Sequence, residues 1–331
     1  MSKSFNAVVA EEVGGKTRAE IKQITLDVLP DEDVLVEVAY STLNYKDGLA
    51  VSGKGKICRR LPMVCGIDLA GTVVESRNPD FQSGDKVLVN GFGMSEKYWG
   101  GYTQMQRLKS EWLVRVPEGF SLEQTMAIGT AGYTSMLCVQ AIQDKGITPD
   151  DGPMLVTGAA GGVGSVAVSL LARLGYEVVA ATGRTEATGE FLISLGASKL
   201  LERSELSRDC KPLEQELWAG AVDTVGGQML ATVLAQTKYE GLVAACGLAG
   251  GVGLPSSVMP FILRGVTLRG IDSVMASLER RQRAWGSLAD LIDKDKLGEI
   301  YSVEPMSKLP ELAQQIIAGE IRGRVVIDVN A

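Results

Sequence analysis

The residues whose types and spacing point most directly to chemistry are glycines in the segment LVTGAAGGVGSVAV, residues 155–168. Gly158, Gly161 and Gly164 lie between an apolar run typical of a strand and an apolar run typical of a helix. A helix N-terminus presents unpaired N–H groups and the positive end of the helix dipole, and glycines let a pyrophosphate approach them. Because another strand follows, the pattern predicts a dinucleotide site rather than a purely structural turn.

The end of that next strand indicates which nucleotide is bound. NAD-binding proteins place an acidic residue there to hold the ribose 2′-hydroxyl, but this chain has Thr182, Gly183 and Arg184. A guanidinium group can pair with a 2′-phosphate, so NADPH is predicted over NADH. Glu186 is close enough in sequence to leave some NAD binding open, and a solvated loop charge is the alternative for Arg184.

Composition limits the other kinds of site. The chain has no histidine and five cysteines that form no C-x-x-C pair, so a zinc site of ordinary His/Cys composition is not expected. The net charge of −7 disfavours nucleic acid and anionic membranes as partners. We see neither a signal-peptide pattern nor an apolar run of about 18 residues, so a soluble cytoplasmic protein is expected.

The elements that must position these residues fall into two patterns. Residues 1–120 contain short β-branched runs separated by turn residues, which predicts a β-rich unit without long helices. A helix is predicted from Ser121 to about Gly146, and strands then alternate with helices, which indicates a parallel sheet. The last stretch mixes strand and helix and is expected to return to the first unit. The predicted domains are therefore 1–122 with 297–331, and 123–296.

Several long segments resemble one protein family. STLNYKDGLAVSGKGKI, PMVCGIDLAGTV, VTGAAGGVGSVAV and MPFILRGVTLRGIDSV resemble the quinone-oxidoreductase-like branch of the zinc-free medium-chain dehydrogenase/reductase superfamily, and within it the acrylyl-CoA reductases. The resemblance covers nearly the whole chain. It implies an α/β protein with a GroES-like β-rich catalytic domain and a Rossmann-type doubly wound parallel-sheet domain. Zinc-dependent members carry Gly-His-Glu where this chain has Gly66-Ile67-Asp68, which implies no metal and a structural, hydrogen-bonding role for Asp68.

The activity that the resemblance implies is reduction of an activated carbon–carbon double bond. Hydride from NADPH would reach the β-carbon of acryloyl-CoA and give propanoyl-CoA, while hydrogen-bond donors stabilise the developing enolate. Two alternatives remain at this point: a reductase of quinones or of free enones and enals, and a nucleotide-binding protein without turnover.

The resemblance also implies a set of site residues. Tyr45 and Asn44 of the NYKD motif are the predicted catalytic residues. The predicted cofactor-binding residues are Tyr45, Ala160, Gly161, Gly162, Val163, Thr182, Gly183, Arg184, Arg203, Leu248, Ile262, Ser273 and Arg324. Tyr45 could instead pack under the cofactor while water supplies the proton. Arg203 could be an exposed turn residue, and Leu248 and Ile262 could be ordinary core.

Three further expectations concern the substrate, the thiols and assembly. Lys54, Lys56 and Arg59 could bind the phosphates of coenzyme A, with a solvated charged face as the alternative. Cys65 and Cys246 are expected to be small core residues. The segment GVTLRGIDSV resembles the strand that pairs across homodimers in the superfamily, which implies a homodimer.

Overall fold

The structure is a computed structural model that describes residues 4–331. It separates into two compact units. The first comprises the described part of Met1–Thr130 together with Ser273–Ala289 and Leu297–Ala331. The second comprises Ala131–Asp272 and Asp290–Lys296. No helix among the described residues is both long and apolar enough to cross a membrane.

The first unit is built from two sheets. Its strands are β1 (Ser4–Val13), β2 (Lys16–Thr25), β3 (Val34–Leu43), β4 (Met63–Val64), β5 (Asp68–Ser76), β6 (Lys86–Asn90), β7 (Met105–Leu108), β8 (Val114–Arg115), β15 (Tyr301–Pro305) and β16 (Arg324–Asp328). One sheet has the order β2-β1-β4, and the other has the order β15-β16-β3-β5-β6-β8 with β7 also paired to β3. Since β16 pairs with β3, the C-terminus returns to this unit as predicted.

Helices α1 (Tyr45–Ser52) and α10 (Leu309–Ala318) lie in the first unit, and α9 (Lys294–Ile300) begins in the second unit's last segment and ends in the first unit. Helix α1 begins in a capping box, in which the side chain of Asn44 and that of Asp47 each bond to the other's backbone amide. Glycine at position 48 lets α1 approach α10, because a Cβ there would lie 3.2 Å from the carbonyl oxygen of Ala313.

The second unit is a six-stranded parallel sheet flanked by helices. Its strands are β9 (Met154–Thr157), β10 (Val178–Thr182), β11 (Lys199–Glu202), β12 (Trp218–Asp223), β13 (Thr237–Ala245) and β14 (Thr267–Gly270). Its helices are α3 (Gly162–Arg173), α4 (Thr185–Ser194), α5 (Arg203–Leu206), α6 (Gly227–Gln236) and α7 (Met259–Arg264). Helix α8 (Leu278–Leu291) runs through a boundary between the units. Segment α2 (Leu122–Asp144) also crosses a boundary, and it consists of two helices because Gly129, at φ 51° and ψ −161°, interrupts the helical backbone. The single helix predicted from Ser121 to about Gly146 is therefore broken at Gly129.

The strand order of the parallel sheet is β11-β10-β9-β12-β13-β14. From β9 the chain adds β10 and β11 on one side of that strand. It then crosses to the other side of β9 and adds β12, β13 and β14 there. Ligands of doubly wound sheets bind at the carboxyl ends of the strands where this reversal occurs. The glycine loop follows β9 directly, so it lies at that point. The predicted fold class, a β-rich unit plus a doubly wound parallel-sheet unit, is confirmed.

The structure contains several elements that the sequence does not predict, because they are short or mostly polar. These are the strands β2, β4, β7 and β11 and the helices α1, α5 and α7. The single helix predicted across residues 277–298 is two helices, α8 and α9, because the Asp293 carboxylate caps the second one through the amides of Asp295 and Lys296. The predicted start of helix α2 at Ser121 is confirmed by its reciprocal bonds with Gln124.

The division into units also differs from the predicted domain boundaries. Residues 273–289 were assigned to the nucleotide-binding domain, but they pack in the first unit. Arg281 donates to the carbonyl oxygen of Asn90, and Trp285 Nε1 donates to Asn90 Oδ1 at 3.2 Å. These are long-range contacts, so helical periodicity could not reveal them.

Candidate active site

The passage from β9 into the first turn of α3 has no room for a side chain at Gly158 or at Gly164. A Cβ at Gly158 would lie 2.3 Å from Thr224 Oγ1, and one at Gly164 would lie 2.3 Å from the carbonyl oxygen of Gly158. At Gly161 the nearest atom to such a Cβ is 3.3 Å away. Gly161, Gly162 and Val163 are half-buried and Ala160 is buried. The loop therefore packs tightly against the sheet while its outer side stays accessible, as a pyrophosphate at the amides of α3 requires.

A buried threonine–aspartate pair, which sequence reasoning missed, holds this loop in place. Thr157 Oγ1 donates to Asp223 Oδ1 at 2.7 Å, and Gly226 N donates to Asp223 Oδ2 at 2.8 Å. Thr224 N donates to Thr157 Oγ1 at 3.0 Å. Burial raises the pKa of Asp223. The available signal was an aspartate at the end of an otherwise apolar strand, in the segment AVDTVGG.

The two arginines predicted to bind the 2′-phosphate follow neighbouring strands. Thr182 pairs with Glu202 in the parallel register of β10 and β11, so Arg184 and Arg203 both lie just beyond carboxyl ends of the sheet. A Cβ at Gly183 would lie 3.2 Å from Arg203 Cδ, which places the Arg203 side chain alongside Gly183. Strand β10 ends in Thr182 rather than in a carboxylate. These residues fit a 2′-phosphorylated adenosine.

The loop after β13 lies over the same edge of the sheet. Gly247 packs so closely on Thr224 that a Cβ would lie 1.8 Å from its carbonyl oxygen. Leu248 is 62% exposed and Ile262 is 73% exposed, so the alternative that they are core residues is wrong. Cys246 is half-buried at the end of β13 and is not a core residue, whereas Cys65 is fully buried as expected.

The NYKD motif starts a buried polar cluster in the first unit, and the Asn44 side chain is its centre. Asn44 Nδ2 donates to Asp68 Oδ2 at 2.8 Å and to Asp47 Oδ2 at 3.0 Å. Arg324 Nη1 donates to Asn44 Oδ1 at 3.3 Å. Both the Nδ2 and the Oδ1 atom of the Asn44 side chain are therefore hydrogen-bonded within the cluster. This favours a positioning role over contact with a reacting atom, and the predicted catalytic role of Asn44 stays a prediction.

The two carboxylates of the cluster are wholly buried but differ in their surroundings. Asp68 accepts from Asn90 Nδ2 at 2.8 Å, from Thr130 Oγ1 at 2.5 Å and from Thr130 N at 3.0 Å, besides its bond from Asn44. The structural, hydrogen-bonding role expected for Asp68 is confirmed. Burial and the charge of Asp68 raise the pKa of Asp47 to about 7, although hydrogen bonds from Asn44 and from Ile67 N at 3.0 Å oppose that shift.

Arg324 is buried in the same cluster. Its guanidinium donates to Thr42 Oγ1 at 2.7 Å, to Ala127 O at 3.1 Å and to Leu43 O at 3.2 Å, in addition to Asn44. These four partners favour a structural role in which Arg324 compensates the buried carboxylates. Its predicted contact with the cofactor stays a prediction.

Tyr45 is the exposed member of the NYKD motif. It is the first residue of α1, its side chain is 41% exposed, and its hydroxyl has no hydrogen-bond partner within residues 4–331. The hydroxyl is therefore available to donate to a ligand. Ser273, in the first unit, is half-buried, and its carbonyl oxygen accepts from Arg281 Nη2 at 3.0 Å.

The basic segment at residues 54–60 is exposed at each of the cations proposed for coenzyme A. Lys54 Nζ donates to Gln314 Oε1 at 2.6 Å, and Arg59 Nε lies 3.7 Å from Glu96 Oε2. Glu96 also pairs with Lys46, so it partly offsets the positive charge. The coenzyme A role of Lys54, Lys56 and Arg59 stays a prediction. Within the described part of the chain, no group of three or more Cys, Asp or Glu side chains could hold a metal ion.

Comparison with known families and proteins gives consistent matches. Residues 30–118 match the alcohol dehydrogenase GroES-like domain, and residues 162–293 match the zinc-binding dehydrogenase family. The acrylyl-CoA reductase AcuI of Ruegeria pomeroyi is 53% identical over 330 residues, which cover 99% of this chain and 100% of that protein.

Two solved structures are similar over almost their whole length. Escherichia coli K-12 YhdH with bound NADPH has a TM-score of 0.96 and 51% identity, covering 98% of this chain and 100% of that one. Bacillus subtilis YhfP with bound NAD has a TM-score of 0.95 and 40% identity, covering 99% of this chain and 100% of that one.

Proposed function

Because the chain belongs to the acrylyl-CoA reductases of the medium-chain dehydrogenase/reductase superfamily, we propose that it reduces the carbon–carbon double bond of acryloyl-CoA with NADPH, giving propanoyl-CoA. The observation that carries this proposal is the identity of 53% to a protein named for that activity, over the full length of both chains. The close packing of the glycine loop and the position of the two arginines beyond β10 and β11 support the proposal that they form the nucleotide site.

NADPH, when bound, supplies the hydride for the β-carbon of the thioester. In our proposal the first-turn amides of α3 bind its pyrophosphate with Ala160, Gly161, Gly162 and Val163. Thr182, Gly183, Arg184 and Arg203 bind the 2′-phosphate. Leu248, Ile262, Ser273 and Arg324 complete the predicted set. The exposure of Leu248 and Ile262 supports ligand contact, because both apolar side chains otherwise face water.

Negative charge develops on the thioester oxygen as hydride reaches the β-carbon, so a preorganised donor there lowers the barrier. We assign this role to the Tyr45 hydroxyl, whose exposure and lack of a hydrogen-bond partner among residues 4–331 support it. Asn44, held by two carboxylates and a guanidinium, fixes the start of α1 and therefore the position of Tyr45. The α-carbon then takes its proton from Tyr45 or from water. Lys54, Lys56 and Arg59 bind the coenzyme A phosphates in this proposal.

We further propose a homodimer that forms through strand β14. This strand ends the parallel sheet, so its outer edge has backbone groups available for pairing. Exposed apolar side chains cluster nearby in sequence, at Val258, Leu263 and Met275. A cytoplasmic location is also proposed, supported by five cysteines that are all free thiols.

Steady-state oxidation of NADPH tests the proposed function. We expect rapid oxidation with acryloyl-CoA, with propanoyl-CoA formed in equal amount. Oxidation with quinones or free enones but not with acryloyl-CoA would favour the second candidate function. Tight NADPH binding without oxidation by any of these substrates would leave a nucleotide-binding protein without turnover.

A further inference from the structure

The side chain of Asn90, the last residue of β6, is fully buried and joins two other buried side chains. Asn90 Nδ2 donates to Asp68 Oδ1 at 2.8 Å, and Asn90 Oδ1 accepts from Trp285 Nε1 at 3.2 Å. A carboxylate only accepts and an indole N–H only donates, so the two partners fix which way the amide points. Leucine, which is similar in size, could make neither bond, and aspartate would place a second carboxylate against Asp68.

One side of Asn90 leads to the helix start that carries Tyr45. Asp68, which accepts from Asn90, also accepts from Asn44 Nδ2 at 2.8 Å. Asn44 is the capping residue of α1, and Tyr45 is the first residue of that helix. Two hydrogen bonds, both to the Asp68 carboxylate, therefore connect Asn90 to the residue directly before Tyr45.

The other side of Asn90 leads to Ser273 through helix α8. Arg281 is fully buried, and its Nη1 donates to the carbonyl oxygen of Asn90. Arg281 Nη2 donates to Ser273 O at 3.0 Å and to Val274 O at 2.7 Å. Trp285 lies one turn along α8 from Arg281, so the side chain and the carbonyl group of Asn90 both contact the same face of that helix.

The backbone directly after Asn90 is strained. Phe92 has a φ of 50°, in the left-handed region that non-glycine residues rarely adopt, and its amide donates to Val274 O at 3.0 Å. A Cβ at Gly91 would lie 3.0 Å from Val274 Cα, so this turn packs directly on the segment that begins at Ser273. Strained residues persist only where their surroundings hold them, and they are concentrated at functional sites. The strain therefore favours a functional reason for holding the turn against this segment.

We propose that Asn90 is a positioning residue for the reduction, which holds Ser273 and Tyr45 in one fixed arrangement within the first unit. The inference rests on the proposed function, in which Ser273 contacts NADPH and the Tyr45 hydroxyl donates to the thioester oxygen. Asn90 acts through these residues, because its own side chain is buried between Asp68 and Trp285. A misplacement of about 1 Å near reacting atoms can lower a rate about a hundredfold, so loss of Asn90 should slow hydride transfer.

The first measurement is the single-turnover rate of NADPH oxidation by Asn90→Leu, with the protein saturated with NADPH before acryloyl-CoA is added. We expect this rate to fall about ten- to a hundredfold, because Ser273 and Tyr45 are no longer held in one arrangement. The dissociation constant of NADPH should stay nearly unchanged, since its proposed phosphate contacts lie in the second unit. A purely structural role would lower the fraction of folded protein but leave the rate of that fraction unchanged.

Asn78→Leu is the matched control. Asn78 also lies in the first unit, and its side chain is bonded at both ends. Its Nδ2 donates to Ser110 Oγ at 2.8 Å, and its Oδ1 accepts from Asp80 N at 2.8 Å. These partners do not lead to Tyr45 or Ser273, so the variant should keep the parent's rate.

Trp285→Phe is a milder variant, which removes only the indole donor and keeps an aromatic ring in place. Its single-turnover rate should fall in the same direction as that of Asn90→Leu, and it keeps the proposal testable if Asn90→Leu does not fold. Adding Trp285→Phe to Asn90→Leu should lower the rate little further, because the bond between the two side chains is already lost.

Hydrogen exchange read by mass tests the same coupling without turnover. In Asn90→Leu the amides of the first turn of α1 and of residues 271–275 should both exchange about tenfold faster, as expected when a buried hydrogen bond is lost. Strands β1 and β2, in the other sheet of the first unit, should exchange as in the parent.

Two results would overturn the proposal. One is a single-turnover rate in Asn90→Leu and Trp285→Phe equal to that of Asn78→Leu. The other is exchange that stays unchanged at both segments, or that rises equally throughout the first unit. A parent that does not oxidise NADPH with acryloyl-CoA would instead refute the proposed function, and the exchange measurement would still decide whether Asn90 holds the two segments.

Discussion

Among single residues, we propose that Arg184 and Arg203 are the two guanidinium groups that distinguish NADPH from NADH. They follow neighbouring strands, and the Arg203 side chain runs beside Gly183. Charged hydrogen bonds of this kind contribute about 1.5–3 kcal/mol each, which corresponds to about ten- to a hundredfold in affinity. The position of Arg203 could not be derived from periodicity, because β11 is a short polar strand that the sequence does not reveal.

We predict that Arg184→Ala raises the dissociation constant of NADPH by about ten- to a hundredfold and leaves that of NADH nearly unchanged. The measurement is titration of both nucleotides by fluorescence or calorimetry. Arg173→Ala, an exposed arginine at the end of α3, is the control and should bind both nucleotides like the parent. An equal loss of affinity for NADH and NADPH in Arg184→Ala would contradict the assignment of the 2′-phosphate site.

Asp47 is a residue whose importance appears only in the folded structure. The NYKD motif is visible in the sequence, but the residues that bond to it are far away in the chain. Ile67 N donates to Asp47, Asn44 Nδ2 donates to Asp68, and Arg324 donates to Asn44. The folded pKa of about 7 lies above the ordinary value of 3.8 that applies to the unfolded chain. Between these values the folded protein binds a proton that the unfolded chain has released, so this group makes stability fall as pH rises from about 4 to about 7.

We therefore predict that Asp47→Asn removes this part of the pH dependence, whatever it does to the absolute stability. The free energy of unfolding should be measured in urea at several pH values between 4 and 8. The parent and the control Asp150→Asn, an exposed aspartate, should both lose stability with rising pH more steeply than Asp47→Asn. Parallel curves for all three proteins would show that Asp47 does not titrate in this range.

At the scale of elements, the glycine loop could be predicted from sequence because its information is local. A strand, three spaced glycines and an apolar helix are all contained in residues 154–173. The support beneath it could not be predicted in this way, since Asp223 and Thr224 arrive from β12, more than 60 positions later. The capping residues Ser121 and Gln124 of α2 are another local signal, and the structure confirms them.

Close packing of α3 on the end of β9 gives a prediction for Gly164→Ala. The added Cβ would lie 2.3 Å from the Gly158 carbonyl oxygen and 2.6 Å from Ala159 Cα, both backbone atoms. We expect a loss of about 1–3 kcal/mol in the free energy of unfolding and weaker NADPH binding.

Gly286→Ala is the matched control for that substitution. Gly286 is also inside a helix, α8, and nothing lies within 4 Å of an added Cβ. Alanine there should stabilise the protein by about 0.5–1 kcal/mol, because it lowers the conformational entropy of the unfolded chain. If both variants changed stability in the same direction, the tight contact at Gly164 would not explain the effect.

At the scale of the whole molecule, the division of the chain was harder to predict than the folds of its parts. Both sheet types and the return of the C-terminus were expected from sequence patterns. The placement of residues 273–289 was not, because Arg281 and Trp285 join the first unit through contacts with Asn90, almost 200 positions earlier. No pattern within an amphipathic helix identifies which of two units it packs against.

The proposed dimer can be tested at the edge of β14. Ile271 N donates to Ala245 O of β13, so the alternating N–H of Gly270 points to the open edge. Gly270→Pro removes that donor, and a Cβ there meets nothing within 4 Å. Analytical ultracentrifugation should show a dimer of 35.2 kDa chains for the parent and for the control Gly270→Ala, and mainly monomer for Gly270→Pro. A dimer in all three would place the interface elsewhere.

Tracing the transferred hydrogen is a direct test of whether the protein reduces acryloyl-CoA with NADPH. The enzyme is given NADPH that carries deuterium at the transferable C4 position, with acryloyl-CoA as substrate, and the product is analysed by mass spectrometry and NMR. We expect propanoyl-CoA with one deuterium at the β-carbon, and, in deuterated water with unlabelled NADPH, propanoyl-CoA with one deuterium at the α-carbon. Deuterium from NADPH at the α-carbon, or no propanoyl-CoA although NADPH is consumed, would contradict this expectation.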